Sequence, residues 1–300
     1  MDLLVLAAAA ALGLSVQEPA PAQSNLVYGQ GETRDGTVDL KLDLYAPDGA
    51  CTSPRPFVIA IHGGGYHSGS KDREEWHEVG GDLAQRGIAT LVIDYRLLGQ
   101  APTPSSTYEP LVPLLRGPWK KLSGQDNEAM VNTIASSAQD TMSALTWARI
   151  HAREYCLDPD RFALWGASAG AFTSILVGYG LDEIDVTVPR PSAVIDYYGG
   201  EFLTGSIQNG DAPLFIVHGS ADPTVPYAYA VQLEDNANAV DVPLAFYTLE
   251  GAGHGWRDVD VFDTKVDGVS IYDLTLNFLE AELTGGDPLY QVVTVEAANP

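Results

Sequence analysis

Hydrophobic and polar positions alternate from Val38 to Leu44, with Val38, Leu40, Leu42 and Leu44 apolar and Asp39, Lys41 and Asp43 charged between them. A two-residue period marks a strand buried on one face, so an antiparallel edge strand is expected here. The later apolar runs are continuous. Phe57 to Ile61, Ile88 to Asp94, Phe162 to Trp165, Ala193 to Tyr198, Pro213 to His218 and Pro243 to Leu249 read as strands. Between them, Asp72 to Arg86, Asn132 to Glu154, Ala169 to Val177, Pro226 to Asn236 and Ser270 to Leu283 read as helices. Strands alternating with helices over this length predict an α/β layer fold with a mostly parallel sheet.

Two stretches depart from this rhythm. From about 97 to 127 the sequence loses periodicity and carries five prolines with Tyr108 and Trp119, the mark of a lid-like insertion. The tail after Gly285 shows no chemical signal. At the other end, Leu3 to Leu14 is an apolar run followed by Ala20-Pro21-Ala22, small residues of the kind a signal peptidase reads, although Asp2 is the only charge before it. Residues 1–22 are therefore expected to be an export signal, leaving 23–300 as one domain. The run is too short to span a membrane, and no later stretch looks transmembrane. A secreted or periplasmic protein without stable membrane insertion follows.

Composition narrows the partners. Forty acidic against sixteen basic side chains give a formal charge of -24, a field that repels nucleic acid and anionic membrane. No calcium-loop or P-loop pattern is present, so neither a metal nor a cofactor is expected. The two cysteines, Cys51 and Cys156, each lie six residues ahead of a strand, those starting at Phe57 and Phe162. If those strands are neighbours, both thiols sit at one end of the sheet and an exported chain would join them in a structural disulfide.

The chemistry centres on Gly166-Ala167-Ser168-Ala169-Gly170, between a short strand and an apolar helix. A serine on a sharp strand-to-helix turn needs small flanking residues, because side chains there would strike the neighbouring strand or helix. By composition a G-x-S-x-G match arises by chance in roughly one chain of this length in six, so its structural context carries the weight. A serine hydroxyl needs a base and an orienting acid. Among six histidines, His254 in Gly251-Ala252-Gly253-His254-Gly255 follows a strand and is the best base, whereas His218 at a strand end reads as structural. Asp222, in the loop after that strand, is the expected orienter, with Asp196 the substitute. His62-Gly63-Gly64-Gly65 supplies unobstructed backbone N–H groups, making Gly64, Gly65 and Ala169 the candidate oxyanion donors. Tyr66, Trp119, Tyr197 and Tyr198 are candidates for an aromatic substrate pocket.

Taken together, His62 to Tyr66, Asp94-Tyr95-Arg96-Leu97, Gly166 to Gly170 and the Asp222 and His254 loops resemble the α/β-hydrolase carboxylesterases. The similarity is to the HGGG-bearing group that includes hormone-sensitive-lipase-like and bacterial feruloyl and acetylxylan esterases. This resemblance implies an eight-stranded α/β-hydrolase sheet in which the strands at Phe57 and Phe162 are neighbours, which supports the disulfide. It also implies a nucleophile, base and orienter at Ser168, His254 and Asp222. The expected activity is hydrolysis of a small-molecule or polymer-linked carboxylic ester, of aryl, feruloyl, acetyl or phthalate type, through an acyl-enzyme. Polyester or lipid cleavage, or amide hydrolysis as an exopeptidase or arylformamidase, would use the same triad.

Overall fold

The computed structural model describes residues 19–255 and 260–298, so most of the expected export signal lies outside the described residues. The chain begins with a hairpin of β1 (Gln23–Thr33) and β2 (Gly36–Tyr45). It continues through β3 (Arg55–Ile61), α1 (Glu74–Gln85), β4 (Ala89–Ile93), α2 (Leu111–Ser123), α3 (Glu128–Ile150) and the single turn α4 (Ala152–Tyr155). Then come β5 (Leu157–Ala167), α5 (Ala169–Tyr179), β6 (Ala193–Tyr197), β7 (Leu214–Gly219), α6 (Ala228–Ala239) and β8 (Leu244–Glu250). A two-stranded ribbon of β9 (Lys265–Val266) and β10 (Val269–Ser270) leads to α7 (Ile271–Thr284) and β11 (Val292–Glu296).

The main sheet runs β1-β2-β4-β3-β5-β6-β7-β8-β11, and every pairing from β4 onward is parallel. It therefore has nine strands where eight were expected. The additional one is β11, in the tail that carried no chemical signal; it pairs in parallel with β8, from Val292 opposite Phe246 to Glu296 opposite Glu250. The alternating strand, β2, is also not at the edge. β1 covers it, in a segment whose buried positions are few because it borders solvent.

Continuous apolar strands have two faces to bury, and the molecule builds a core on each. Phe57, Ile59 and Ile61 of β3 pack beneath α2, α3, α5 and α6, while Val58 and Ala60 join Trp76, Val79, Leu276 and Leu279 from α1 and α7. The insertion contributes to the first of these cores. Where no periodicity was expected, residues 111–123 form α2, whose Leu111 and Leu115 are buried and which packs along α3. Its prolines sit at Pro113, in the first turn, where no intrahelical N–H is needed, and at Pro118.

Cys51 and Cys156 are disulfide-bonded with Cα atoms 5.6 Å apart, ahead of β3 and β5, which pair Phe57 with Phe162. Closing a loop of this length restricts the unfolded chain by about 4–5 kcal/mol on a chain-entropy estimate. The bridge clamps the end of the sheet away from Ser168, leaving the opposite end free for loops.

A buried ion pair holds that opposite end together. Arg96, just past β4, is fully buried, as is Asp140 of α3. Its guanidinium donates to both Asp140 oxygens at 2.7–3.0 Å, and its remaining N–H groups donate to the carbonyls of Glu32 and Thr103. One side chain thus ties β1, β4, α3 and the insertion. Removing one member strands the other charge away from water, so Arg96→Met is expected to lose about 3–5 kcal/mol in urea unfolding, with Arg96→Met/Asp140→Leu recovering part of it. An unchanged single variant would show that the pair contributes nothing.

Candidate active site

Ser168 lies between the last residue of β5 and the first of α5 with φ 53° and ψ -119°, a conformation L-residues avoid. Its neighbours explain how it is held there. A Cβ on Gly166 would come within 2.1 Å of the Gly170 carbonyl oxygen, and one on Gly170 within 2.0 Å of the Ile61 carbonyl oxygen. Strand β3, strand β5 and helix α5 therefore approach as closely as backbones can, and the turn between them has no room to relax. The Ser168 N–H is anchored by donating to the Tyr197 carbonyl at 2.8 Å. The hydroxyl is left at the carboxyl edge of the sheet.

There Ser168 Oγ lies 2.9 Å from His254 Nε2, and His254 Nδ1 lies 2.6 Å from Asp222 Oδ2. These three residues come from loops after β5, β8 and β7. The two outer loops meet because Gly219 carries no side chain: a Cβ there would fall 2.4 Å from the carbonyl oxygens of Ala252 and Gly253. The Ala221 N–H donates to the Ala252 carbonyl and fixes the same approach. Asp222 is oriented from both sides, its Oδ1 accepting from the N–H groups of Thr224 at 2.7 Å and Val225 at 2.9 Å. Burial pushes its carboxyl upward, but the hydrogen bonds from His218, His254, Val225 and Thr224 outweigh that and hold it well below the usual carboxylate range. The acid thus stays ionised wherever an imidazole titrates.

The glycine loop after β3 faces this row. Gly63, Gly64 and Gly65 line the same cleft as Ser168 and His254. Gly64, at φ 116°, has no space for a side chain, since a Cβ would lie 2.0 Å from the Ser68 carbonyl oxygen. The N–H groups of Gly64, Gly65 and Ala169 have no acceptor among the described residues, which leaves them available to a ligand oxygen. His62, behind the loop, is buried against Tyr95 with ring centroids 4.4 Å apart, and burial holds its imidazole down at about 4. It remains neutral and structural.

The aromatic candidates divide. Tyr198 lines the cleft, and its ring stands edge-on to His254 at 5.0 Å. The other three are elsewhere. Tyr66 is buried, with its hydroxyl donating to the Ala169 carbonyl at 2.8 Å, so it braces the glycine loop against α5. Tyr197, the last residue of β6, is buried in the core beneath α7, with its hydroxyl 2.6 Å from Thr275 Oγ1. Trp119 packs on the core from α2, and no residue of the insertion is among those lining the cleft. Asp196, the substitute acid, is buried with its Oδ1 accepting from the Gly199 N–H at 2.7 Å, and Asp222 holds the place next to His254.

Sequence reasoning missed Arg73, Glu75 and Thr224, which complete the described lining of a cleft of about 570 Å³. Arg73 and Glu75 bracket the start of α1 and form an ion pair. Charged residues at a helix start look like ordinary capping, and only the fold brings them beside the serine.

Comparison with known proteins finds the chain similar to esterases. The BD-FAE family profile matches residues 42–109 and 127–204. A probable carboxylic ester hydrolase, LipM, of Mycobacterium tuberculosis is 26% identical over 204 residues, 62% of this chain and 39% of LipM. The versiconal hemiacetal acetate esterase of Dothistroma septosporum is 24% identical over 228 residues, 68% of this chain and 59% of that enzyme. A stretch of the non-reducing polyketide synthase stbA of Stachybotrys bisbyi is 25% identical, but it amounts to 8% of that protein. The chain thus spans less than two thirds of the length of each of these relatives. Among solved structures, the Est2 esterase of Thermogutta terrifontis superposes with a TM-score of 0.62 at 22% identity, covering 88% of this chain and 94% of that one.

The depressed Asp222 carboxyl sets a pH signature. A folded value below the unfolded one, about 3.9, adds stability that is present above that value and lost as pH falls through the folded one. The urea midpoint of Asp222→Asn is therefore expected to lie below that of the wild type at pH 7, with the gap narrowing at pH 3. A gap that is constant with pH would contradict the assignment.

Proposed function

We propose that this chain, which is an α/β-hydrolase carboxylesterase of the HGGG-bearing group, cleaves its ester through an acyl-enzyme on Ser168. The observation that carries the reading is the continuous row Ser168 Oγ, His254 Nε2, His254 Nδ1, Asp222 Oδ2, closed at 2.9 and 2.6 Å. Ser168 attacks the ester carbonyl while His254 Nε2 takes the hydroxyl proton, and Asp222 stabilises the imidazolium that forms. The N–H groups of Gly64, Gly65 and Ala169 receive the negative oxygen of the tetrahedral intermediate. That intermediate expels the alcohol, which leaves with the proton from His254. Water, activated by His254, then attacks the acyl-enzyme and releases the acid.

The cleft also bears on the substrate. Apart from Tyr198, its described lining is glycine, alanine and polar side chains, with no long aliphatic wall to hold a fatty chain. That supports short acyl groups or compact aryl and feruloyl esters over lipids or apolar polyesters. The disulfide and the apolar run from Leu3 to Leu14 support an exported enzyme, and no described helix is long and apolar enough to cross a membrane.

A p-nitrophenyl series from acetate to laurate, with methyl ferulate, tests both parts. The expected outcome is kcat/KM highest at acetate to butyrate and about tenfold or more lower at laurate, with Ser168→Ala about 10,000-fold down on the best substrate. Activity retained in Ser168→Ala would overturn the mechanism. A laurate optimum would overturn the substrate class alone.

A further inference from the structure

The reaction as written leaves three polar side chains of the cleft unused. Arg73, Glu75 and Tyr198 line it together with Ser168 and His254, and none of them moves a proton in the mechanism. Tyr198 follows the last residue of β6 with φ 45°, a backbone conformation that bulky side chains avoid, and its N–H is held there by donating to the Val217 carbonyl at 2.7 Å. The ring stands edge-on to His254 and the residue is only 2% exposed. Its hydroxyl nevertheless has no hydrogen-bond partner among the described residues. Other buried tyrosines of this molecule do have one: Tyr66 donates to the Ala169 carbonyl, Tyr95 to that of His62 and Tyr179 to that of Ala212. Nor is the Tyr198 oxygen among the unpartnered atoms sealed away from solvent. Its unmet hydrogen bond therefore belongs to the cleft.

The charged pair also has capacity to spare. Arg73 Nε donates to Glu75 Oε1 at 2.5 Å, which leaves the remaining guanidinium N–H groups and Glu75 Oε2 without partners among the described residues. No hydrogen bond joins the pair to Tyr198, yet both charges act on the phenol. Burial first and Glu75 next hold the Tyr198 hydroxyl well above its ordinary range, and Arg73 opposes them more weakly. The phenol thus stays protonated, able to donate as well as accept, in a field that is net negative.

These groups select the chemistry of what binds them. An alkyl group would leave the donors and acceptors of all three side chains unmet. A carboxylate would accept from Arg73 and Tyr198 but would face Glu75, in a chain of formal charge -24. An ammonium would face Arg73 and offer nothing to its N–H groups. A hydroxyl donates and accepts at once, so it can give its proton to Glu75 and receive one from Tyr198 or Arg73 without burying a new charge. We propose that the Tyr198 hydroxyl and the Arg73–Glu75 pair form a specificity subsite that recognises a free hydroxyl group carried by the ester away from the scissile bond. The inference rests on the triad reading above and adds what the cleft selects. The hydroxyl can stand on the alcohol part or be a phenol on the acyl part, and the test separates the two.

The test uses the full chain and two pairs of esters. Glyceryl monoacetate against propyl acetate reads a hydroxyl on the alcohol, and methyl 4-hydroxycinnamate against methyl 4-methylcinnamate reads one on the acyl group. Within each pair the ratio of kcat/KM values is compared between wild type and variant, so intrinsic reactivity and any change in chemistry common to both esters cancel. Tyr198→Phe and Arg73→Leu are each expected to lower that ratio about fivefold or more in the same pair, which identifies the part that carries the hydroxyl. Glu75→Gln removes the negative charge and keeps an acceptor, so kcat/KM on monoethyl succinate relative to ethyl butyrate is expected to rise about fivefold or more. A ratio within about twofold of wild type in both hydroxyl pairs, for either Tyr198→Phe or Arg73→Leu, would overturn the proposal, as would an unmoved succinate ratio in Glu75→Gln. Ser168→Ala separates the two readings: if it still hydrolyses both members of a pair the acyl-enzyme mechanism fails, whereas an inactive Ser168→Ala with unmoved ratios removes the subsite alone.

Discussion

The near-contact of three backbones at Gly166 and Gly170 is the constraint on which the site depends. With the Gly170 carbonyl where a Gly166 side chain would be, and the Ile61 carbonyl where a Gly170 side chain would be, β3, β5 and α5 are locked together. Ser168 is then forced into a positive-φ turn that no local preference would choose. The cost of that turn, of the order of 1–3 kcal/mol, is offset by a sheet buried on both faces. A disulfide at the far end and the Arg96–Asp140 pair at the near end keep the strands from spreading. The serine is thus placed by rigid elements, and Asp222 and His254 reach it from loops that meet above it.

Much of this was legible because sterics and residue type coincide. Glycines two residues either side of Ser168, the glycine run after β3 and the histidine among glycines after β8 are each positions where only a missing side chain allows the observed approach. The continuous apolar runs gave the parallel strands for the same reason, since both faces are buried. The disulfide followed from equal offsets ahead of two strands that turned out to be partners.

Other features were hidden where the physics is not local. β1 and β11 are edge strands with one face toward solvent, and their mixed sequences give no buried run to find. The helix from Leu111 to Ser123 was masked by Pro113 and Pro118, although its burial on α3 outweighs their poor propensity. Tyr66, Trp119 and Tyr197 show that an aromatic near a motif says nothing about which way the ring points. Tyr197 and Tyr198 are adjacent and share the core on the α7 side of the sheet, yet one bonds Thr275 and the other reaches the cleft. Arg73 and Glu75 reach the cleft only because α1 starts beside the glycine loop, which no spacing along the chain reveals.

The central claim is that a strained serine is made nucleophilic by the His254–Asp222 row, and covalent trapping tests it most directly. The enzyme would be reacted with a fluorophosphonate and the adduct located by peptide mass spectrometry, in wild type and in His254→Gln. One phosphonyl group on Ser168 is predicted, formed about 100-fold or more slowly in the variant, whose glutamine cannot take the serine proton. Labelling at another residue, or labelling of Ser168 at the same rate in both proteins, would contradict the account.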